Sequence, residues 1–270
     1  MGGLRLALTL FTVAPLRADR FDRPTARTAM ALAPLVGALL GALLGLIGWA
    51  ARAAGATPLL AAAIVVALAV LLTRGLHVDG LADTADGLGS YGTAEKALAI
   101  MKKSDIGPFG VAAIAMVLLI EAAAVTSLLG PAGGPTDGGS GRLGGWSEGL
   151  PAGVHGLVAV AAAFAAGRLA ATVACRRGLP AARPDGLGAL VAGTIGGPLL
   201  AVTVLATAAL AALAHPWLGP LAVAGAVAVA WLLTAHARRR LGGVTGDIMG
   251  GAIELSTMTA LVVLAIGHQA

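Results

Sequence analysis

Seven apolar runs decide most of what this chain can be. They lie at about 30–50, 58–76, 109–129, 153–175, 190–214, 218–236 and 251–267. Each is long enough to cross a bilayer core, which takes roughly 17–25 apolar residues in a helix. Backbone inside lipid must satisfy its own hydrogen bonds, so such runs fold as helices packed on helices. The expected fold is an all-α, polytopic integral membrane bundle of about seven transmembrane helices, with one domain over residues 1–270. Composition agrees: 58% of the residues are hydrophobic and 11% are charged, against about 25% charged in a soluble domain. The mean hydropathy is +0.90. The fifth run is the least regular, because Gly193, Gly196, Gly197 and Pro198 interrupt it.

The net charge of +5 and the pI near 10.3 invite a nucleic-acid reading. Aromatic residues make up only 3%, too few for stacking platforms, and the basic residues form no stripe. No nucleic-acid partner is expected. The basic residues follow the positive-inside rule instead. Arg5, Arg17, Arg20, Arg23 and Arg27 precede the first run. Arg74, Lys96, Lys102 and Lys103 lie between the second and third. Arg176, Arg177 and Arg183 follow the fourth, and Arg238, Arg239 and Arg240 precede the seventh. With seven crossings all of these fall on one side, and only Arg52 and Arg142 on the other. The N-terminus and the basic loops are therefore expected in the cytoplasm. Leu4–Leu16 is too short to cross and reads as an interfacial helix. The outer loop 130–152 is rich in Gly and Ser and reads as a flexible linker. Cys175 is the single cysteine, which excludes an intrachain disulfide and a multi-cysteine metal site.

Most of the thirteen acidic residues gather on the same side. In RGLHVDGLADTADGLGS, residues 74–90, Asp79, Asp83 and Asp86 recur at i, i+4 and i+7. A helix places them on one face. Like charges so close repel, and a purely structural helix gains nothing from them. A divalent cation with hard oxygen ligands removes the repulsion. A solvated acidic loop is the plain alternative. In LGGVTGDIMGGAIEL, residues 241–255, Asp247 and Glu254 stand seven apart, with Gly250 and Gly251 clearing room between them. A helix cap for Asp247 and an ion pair for Glu254 are the structural alternatives. In MKKSDIGPFG, residues 101–110, Lys102, Lys103 and Ser104 could neutralise and bind a phosphate. Arg168, inside the fourth run, is expected to bind phosphate with both arms of its guanidinium; a pair with Glu121 is the structural alternative. His77, two residues before Asp79, is a further candidate for ligand contact.

Carboxylates, a divalent metal and cationic side chains at a membrane surface suit phosphoryl transfer. The sequence has no G-x-x-x-x-G-K-[ST], G-x-S-x-G or H-E-x-x-H, so a P-loop ATPase, a serine hydrolase and a zincin are unsupported.

HVDGLADTADG at 77–87, KKSDIGPFG at 102–110 and LGGVTGDIMGGAIEL at 241–255 resemble the signature segments of the cobalamin synthase family, also called adenosylcobinamide-GDP ribazoletransferases. LALTLFTVAPLR and APLVGALLGALLG are similar to the family's opening stretch and first span, so the resemblance runs along the whole chain. Val78, Lys103 and Asp105 depart from the family's usual residues. The resemblance implies a transferase of bacterial cobalamin synthesis. It would join adenosylcobinamide-GDP to α-ribazole or α-ribazole 5′-phosphate with Mg²⁺ and release GMP. The site would face the cytoplasm at the inner membrane. The implied metal ligands are Asp79, Asp83 and Asp86. Asp83, Asp86, Asp247 and Lys102 are the expected catalytic groups. His77, Lys103, Ser104, Arg168 and Glu254 are the expected substrate contacts. The resemblance also implies association with other cobalamin-assembly enzymes, and a homo-oligomer is compatible with it.

Two other functions compete. A CDP-alcohol phosphotransferase has D-x-x-D-G-x-x-A-R-x₈-G-x₃-D-x₃-D. Asp83, Asp86 and Gly87 start that pattern, but Ser90, Tyr91, Ile100, Ser104 and Pro108 break it. A cation transporter would place carboxylates at the midplane of facing spans, where only Glu121 lies.

Overall fold

The computed structural model describes residues 2–16, 22–130 and 154–269. Arg17, Arg20 and Arg142, and the loop expected at 130–152 beyond Gly130, lie outside the described residues. Among the described residues the chain forms eleven helices. They are α1 (Gly2–Phe11), α2 (Arg23–Ala53), α3 (Pro58–Leu72), α4 (Leu76–Gly89), α5 (Ala94–Ile100), α6 (Pro108–Leu129), α7 (Val154–Ala174), α8 (Gly186–Val191), α9 (Gly197–Ala214), α10 (Leu218–Leu241) and α11 (Gly246–Gln269). No strand is formed among them; two single-residue bridges join loops.

Six helices, α2, α6, α7, α9, α10 and α11, are long and apolar enough to cross a membrane, and the bent pair α3–α4 brings the number to seven. The chain turns by 86° between the two arms: α3 is apolar throughout, and α4 carries Asp79, Asp83 and Asp86. The turn is made by Arg74 at φ 58 and Gly75 at φ 66, two consecutive residues in the left-handed region that ends helices.

Local sequence sets the helix ends. Asp22 caps α2 by accepting the Thr25 N–H at 2.8 Å, and Pro24 occupies the first turn, where a missing N–H is harmless. Thr57 caps α3 in the same way. The fifth apolar run crosses later than its composition indicates. Gly193 at φ 71 separates the short α8 from α9, and Pro198 starts the crossing helix.

Helix α7 is the axis of the bundle. Every residue from Ala159 to Ala174 is buried, and most are alanine or another small residue. Its main neighbour is α2, which presents glycines at four-residue spacing. A Cβ on Gly41 would come 2.8 Å from the Ala161 Cα, and one on Gly45 would come 2.9 Å from the Leu157 Cα. Only glycine permits this approach, and close packing of small residues is what holds helices together in lipid. The opposite face of α2 leaves Leu35, Leu39, Leu43 and Leu46 exposed, as a face turned to hydrocarbon requires. Helix α1 buries Leu6, Ala7 and Phe11 against Ala26, Ala29 and Met30 of α2.

The basic loops meet at one end of the bundle. Arg23 donates to the carbonyls of Ala189 at 2.9 Å and Ala192 at 2.8 Å. Arg240 donates to the carbonyls of Ser90 and Gly92. At the other end Arg52 donates to Leu129 O at 3.1 Å. The charge asymmetry in the sequence thus corresponds to two distinct ends of the molecule.

Candidate active site

Two helices with no room between them build the site. A Cβ on Gly80 of α4 would come 2.9 Å from the Asp247 carbonyl and 3.1 Å from the Gly250 Cα of α11. The clearance that Gly250 provides is therefore filled by α4 itself. Thr84, one turn further along α4, lies against Gly251. This crossing brings the Asp79 and Asp83 turns of α4 beside the first turn of α11, which carries Asp247.

Asp79 is exposed, and Asp83 and Asp247 are half-buried. They share one electrostatic field. The Asp83 carboxyl is pushed from 3.8 up to about 6, first by burial, then by Asp247, Asp79 and Asp86, against the opposing pull of Arg183. Each carboxylate disfavours ionisation of its neighbour, and Arg183 offsets only part of this. Asp247 Oδ2 accepts hydrogen bonds from Arg183 Nη1 at 3.4 Å and from the Thr245 hydroxyl at 3.2 Å.

Asp86 also has a structural task that its spacing does not indicate. Its carboxylate accepts the backbone N–H of Gly107 at 2.7 Å and of Gly110 at 3.0 Å. Those are orphan donors of the first turn of α6, whose own N-cap, Gly107, has no side chain to offer. Asp86 therefore caps a helix from a neighbouring helix. Both oxygens are engaged by backbone donors, so Asp86 anchors the start of α6, and each oxygen keeps a further lone pair with which a cation could be bound.

Arg168 lies apart from the surface carboxylates, inside the bundle. It is 2% exposed, stacks over Phe164 at 4.8 Å, and its Nη1 donates to the Thr257 hydroxyl at 3.5 Å. With Glu121, Glu254 and Thr257 it lines a cavity of about 10 Å³, room for about one water. It faces the interior of the bundle. Glu121 and Glu254 line the same small cavity, so the structural alternative is charge compensation across it rather than a direct ion pair. His77 and Glu254 belong to the same interior. His77 Nδ1 lies 3.8 Å from Glu254 Oε1, and the His77 ring lies 5.9 Å from that of Phe11. They are buried, and the structure brings them together with each other rather than with the surface carboxylates.

Lys102, Lys103 and Ser104 are exposed in the turn between α5 and α6. Lys102 pairs with Asp185 at 3.4 Å, a contact open to solvent that leaves the amine free to exchange partners. Arg183 is the residue that sequence reasoning missed. It was counted only among the basic loop residues, and its 64-residue separation from Asp247 leaves no local signal.

Among the described residues, no three carboxylate, imidazole or thiol groups close on one metal-sized point. Asp79, Asp83 and Asp247 nonetheless share one electrostatic field, and carboxylate oxygens are the donors that a hard divalent cation takes.

The chain matches the family model described as cobalamin-5-phosphate synthase over residues 3–265. It is 40% identical to a protein of Frankia casuarinae named adenosylcobinamide-GDP ribazoletransferase, over 97% of this chain and 94% of that one. It is 35% identical to a protein of the same name from a Nocardioides species, over 97% of each chain. It is 34% identical to another from Pseudomonas savastanoi pv. phaseolicola, over 97% of this chain and 98% of that one. No solved structure matches it. With three signature segments in order, a helical bundle that joins two of them at Gly80 and Gly250, and similarity along nearly its whole length, this chain belongs to the cobalamin-5-phosphate synthase family, transferases of cobalamin synthesis.

Proposed function

We propose that this protein joins adenosylcobinamide-GDP to α-ribazole or α-ribazole 5′-phosphate and releases GMP. We place the reaction at the cytoplasmic face of a bacterial inner membrane and make it dependent on Mg²⁺. The observation that carries this reading is the crossing of α4 and α11, which gathers Asp79, Asp83 and Asp247 at the basic end of the bundle. Relatives bearing the transferase name support the substrate pair. The concentration of basic residues at the same end supports the cytoplasmic face.

The chemistry is a phosphoryl substitution. A ribose hydroxyl of the α-ribazole unit forms a bond to the phosphorus attached to the corrinoid side chain. The phosphoanhydride bond to GMP breaks, and GMP leaves with the bonding electron pair. The hydroxyl proton passes to a carboxylate oxygen of Asp83. Its raised pKa makes Asp83 a better proton acceptor than an ordinary aspartate while keeping it ionised at neutral pH. Asp79 and Asp247 would hold the Mg²⁺, which supplies charge neutralisation for the phosphates when bound. Lys102, at the rim, exchanges Asp185 for the negative charge of the diphosphate. Lys103 and Ser104 extend that rim. The exposed position of all three suits a large substrate arriving from water.

The test is turnover by the purified protein in detergent or liposomes with both substrates and Mg²⁺, following GMP and corrinoid by chromatography. Product with Mg²⁺ and none with EDTA is expected. A folded protein that makes no product, or one that consumes CDP-alcohols instead, overturns the reading.

A further inference from the structure

We infer that Arg183 and Thr245 are positioning residues that fix the Asp247 carboxylate for phosphoryl transfer; this rests on the transferase reading above. The segment before Arg183 is fastened to the segment before α11. Ala182 N–H donates to Val244 O at 2.9 Å, and Val244 N–H donates to Pro180 O at 2.9 Å. Gly243 has no room for a side chain against Pro180 and Ala181, so the two segments lie in direct backbone contact. Arg183 therefore enters the site from a fixed base.

Its guanidinium is fixed at the far end as well. Nη2 donates to Leu98 O at 2.8 Å, tying it to α5, and Nη1 reaches Asp247 Oδ2 at 3.4 Å. The side chain is only 16% exposed. Thr245 is 3% exposed and serves twice. Its hydroxyl oxygen accepts Ile248 N–H at 3.2 Å, capping α11, and its proton goes to the same Asp247 Oδ2 at 3.2 Å. Oδ2 is thus held from two directions, while no hydrogen bond among the described residues reaches Oδ1. An aspartate in a first helical turn has several rotamers open to it. These two donors select one and leave Oδ1 without a hydrogen bond among the described residues.

A carboxylate displaced by about 1 Å from its productive position costs up to roughly a hundredfold in rate. Arg183→Gln should therefore lower kcat between about tenfold and a hundredfold, with KM for adenosylcobinamide-GDP changed by less than about twofold, since the loss falls on the chemical step. Arg183→Lys should recover part of the rate. Thr245→Val should behave like Arg183→Gln, and Thr245→Ser should restore activity while keeping the helix cap. In the Asp247→Asn background Arg183→Gln should add no further loss, because residues that act through one group are not additive. Thermal melting of each variant reports folding separately. Additive losses overturn the inference, and so does a KM increase at unchanged kcat, or a fall in Tm with kcat of the folded fraction intact. Absence of product from the wild type overturns the transferase reading and takes this inference with it; product from the wild type with additive variants overturns the inference alone.

Discussion

Asp83 stands at about 6 instead of 3.8 because burial and three carboxylates oppose its ionisation. A raised carboxyl pKa means that the folded chain binds this proton more tightly than the unfolded chain does. Ionisation therefore costs stability, and the cost accrues as pH rises from about 4 to about 6. Without Mg²⁺, Asp83→Asn should raise Tm at about pH 7.5 and leave it unchanged near pH 4. Equal Tm differences at both pH values would contradict the shared field. Arg168 makes a different prediction. Arg168→Met removes the cation from the cavity that Glu121 and Glu254 line, and leaving a buried charge uncompensated costs about 3–5 kcal/mol. Denaturation in mild detergent should show that loss, and Glu121→Gln with Glu254→Gln should recover much of it. A phosphate-binding Arg168 would instead raise KM at unchanged stability. The sequence made both Arg168 and Asp86 legible as functional polar residues, because a charge in an apolar or acidic run is conspicuous. It did not reveal their tasks, since Asp86 meets the start of α6 21 residues away and Arg168 meets Thr257 89 residues away.

Elements were legible where hydropathy alone decides. Five of the seven apolar runs became single long helices, the fifth run supplies a sixth only after its break at Gly193, and the spacing of Asp79, Asp83 and Asp86 does lie on one helix, α4. The 86° turn between α3 and α4 was hidden, because a left-handed Arg74 carries no compositional mark. The break at Gly193 was visible as a cluster of glycines, yet its result, a separate α8, was not. The crossing of α4 and α11 is the element-scale feature on which the site depends, and Gly80 tests it. Gly80→Ala puts a methyl 2.9 Å from the Asp247 carbonyl, which must push the helices apart. Turnover should fall by roughly a hundredfold while the melting transition remains cooperative. Full activity in Gly80→Ala would mean that the contact between these helices does not set the carboxylate geometry.

At the scale of the molecule, basic loops and carboxylates share one end, and an axis of small residues in α7 holds the crossings together. The end that bears Ser104 should face the cytoplasm, and the end that bears Ala54 should face away. Cys175 is buried, so a Cys175→Ala background can report single cysteines. Ser104→Cys should react with an impermeant maleimide only in inverted vesicles, and Ala54→Cys only in intact spheroplasts; the reverse pattern would invert the topology. In the proposed reaction Asp79, Asp83 and Asp247 carry out Mg²⁺-dependent transfer while Asp86 holds the start of α6. The most direct measurement is Mg²⁺-dependent GMP release from adenosylcobinamide-GDP by the four Asp→Asn variants, each with its Tm. The account predicts that the variants at 79, 83 and 247 lose at least about a hundredfold in kcat and keep their fold, and that Asp86→Asn loses stability and keeps kcat per folded molecule. An Asp86→Asn variant that is fully stable and inactive, beside active variants at 79, 83 and 247, would contradict it.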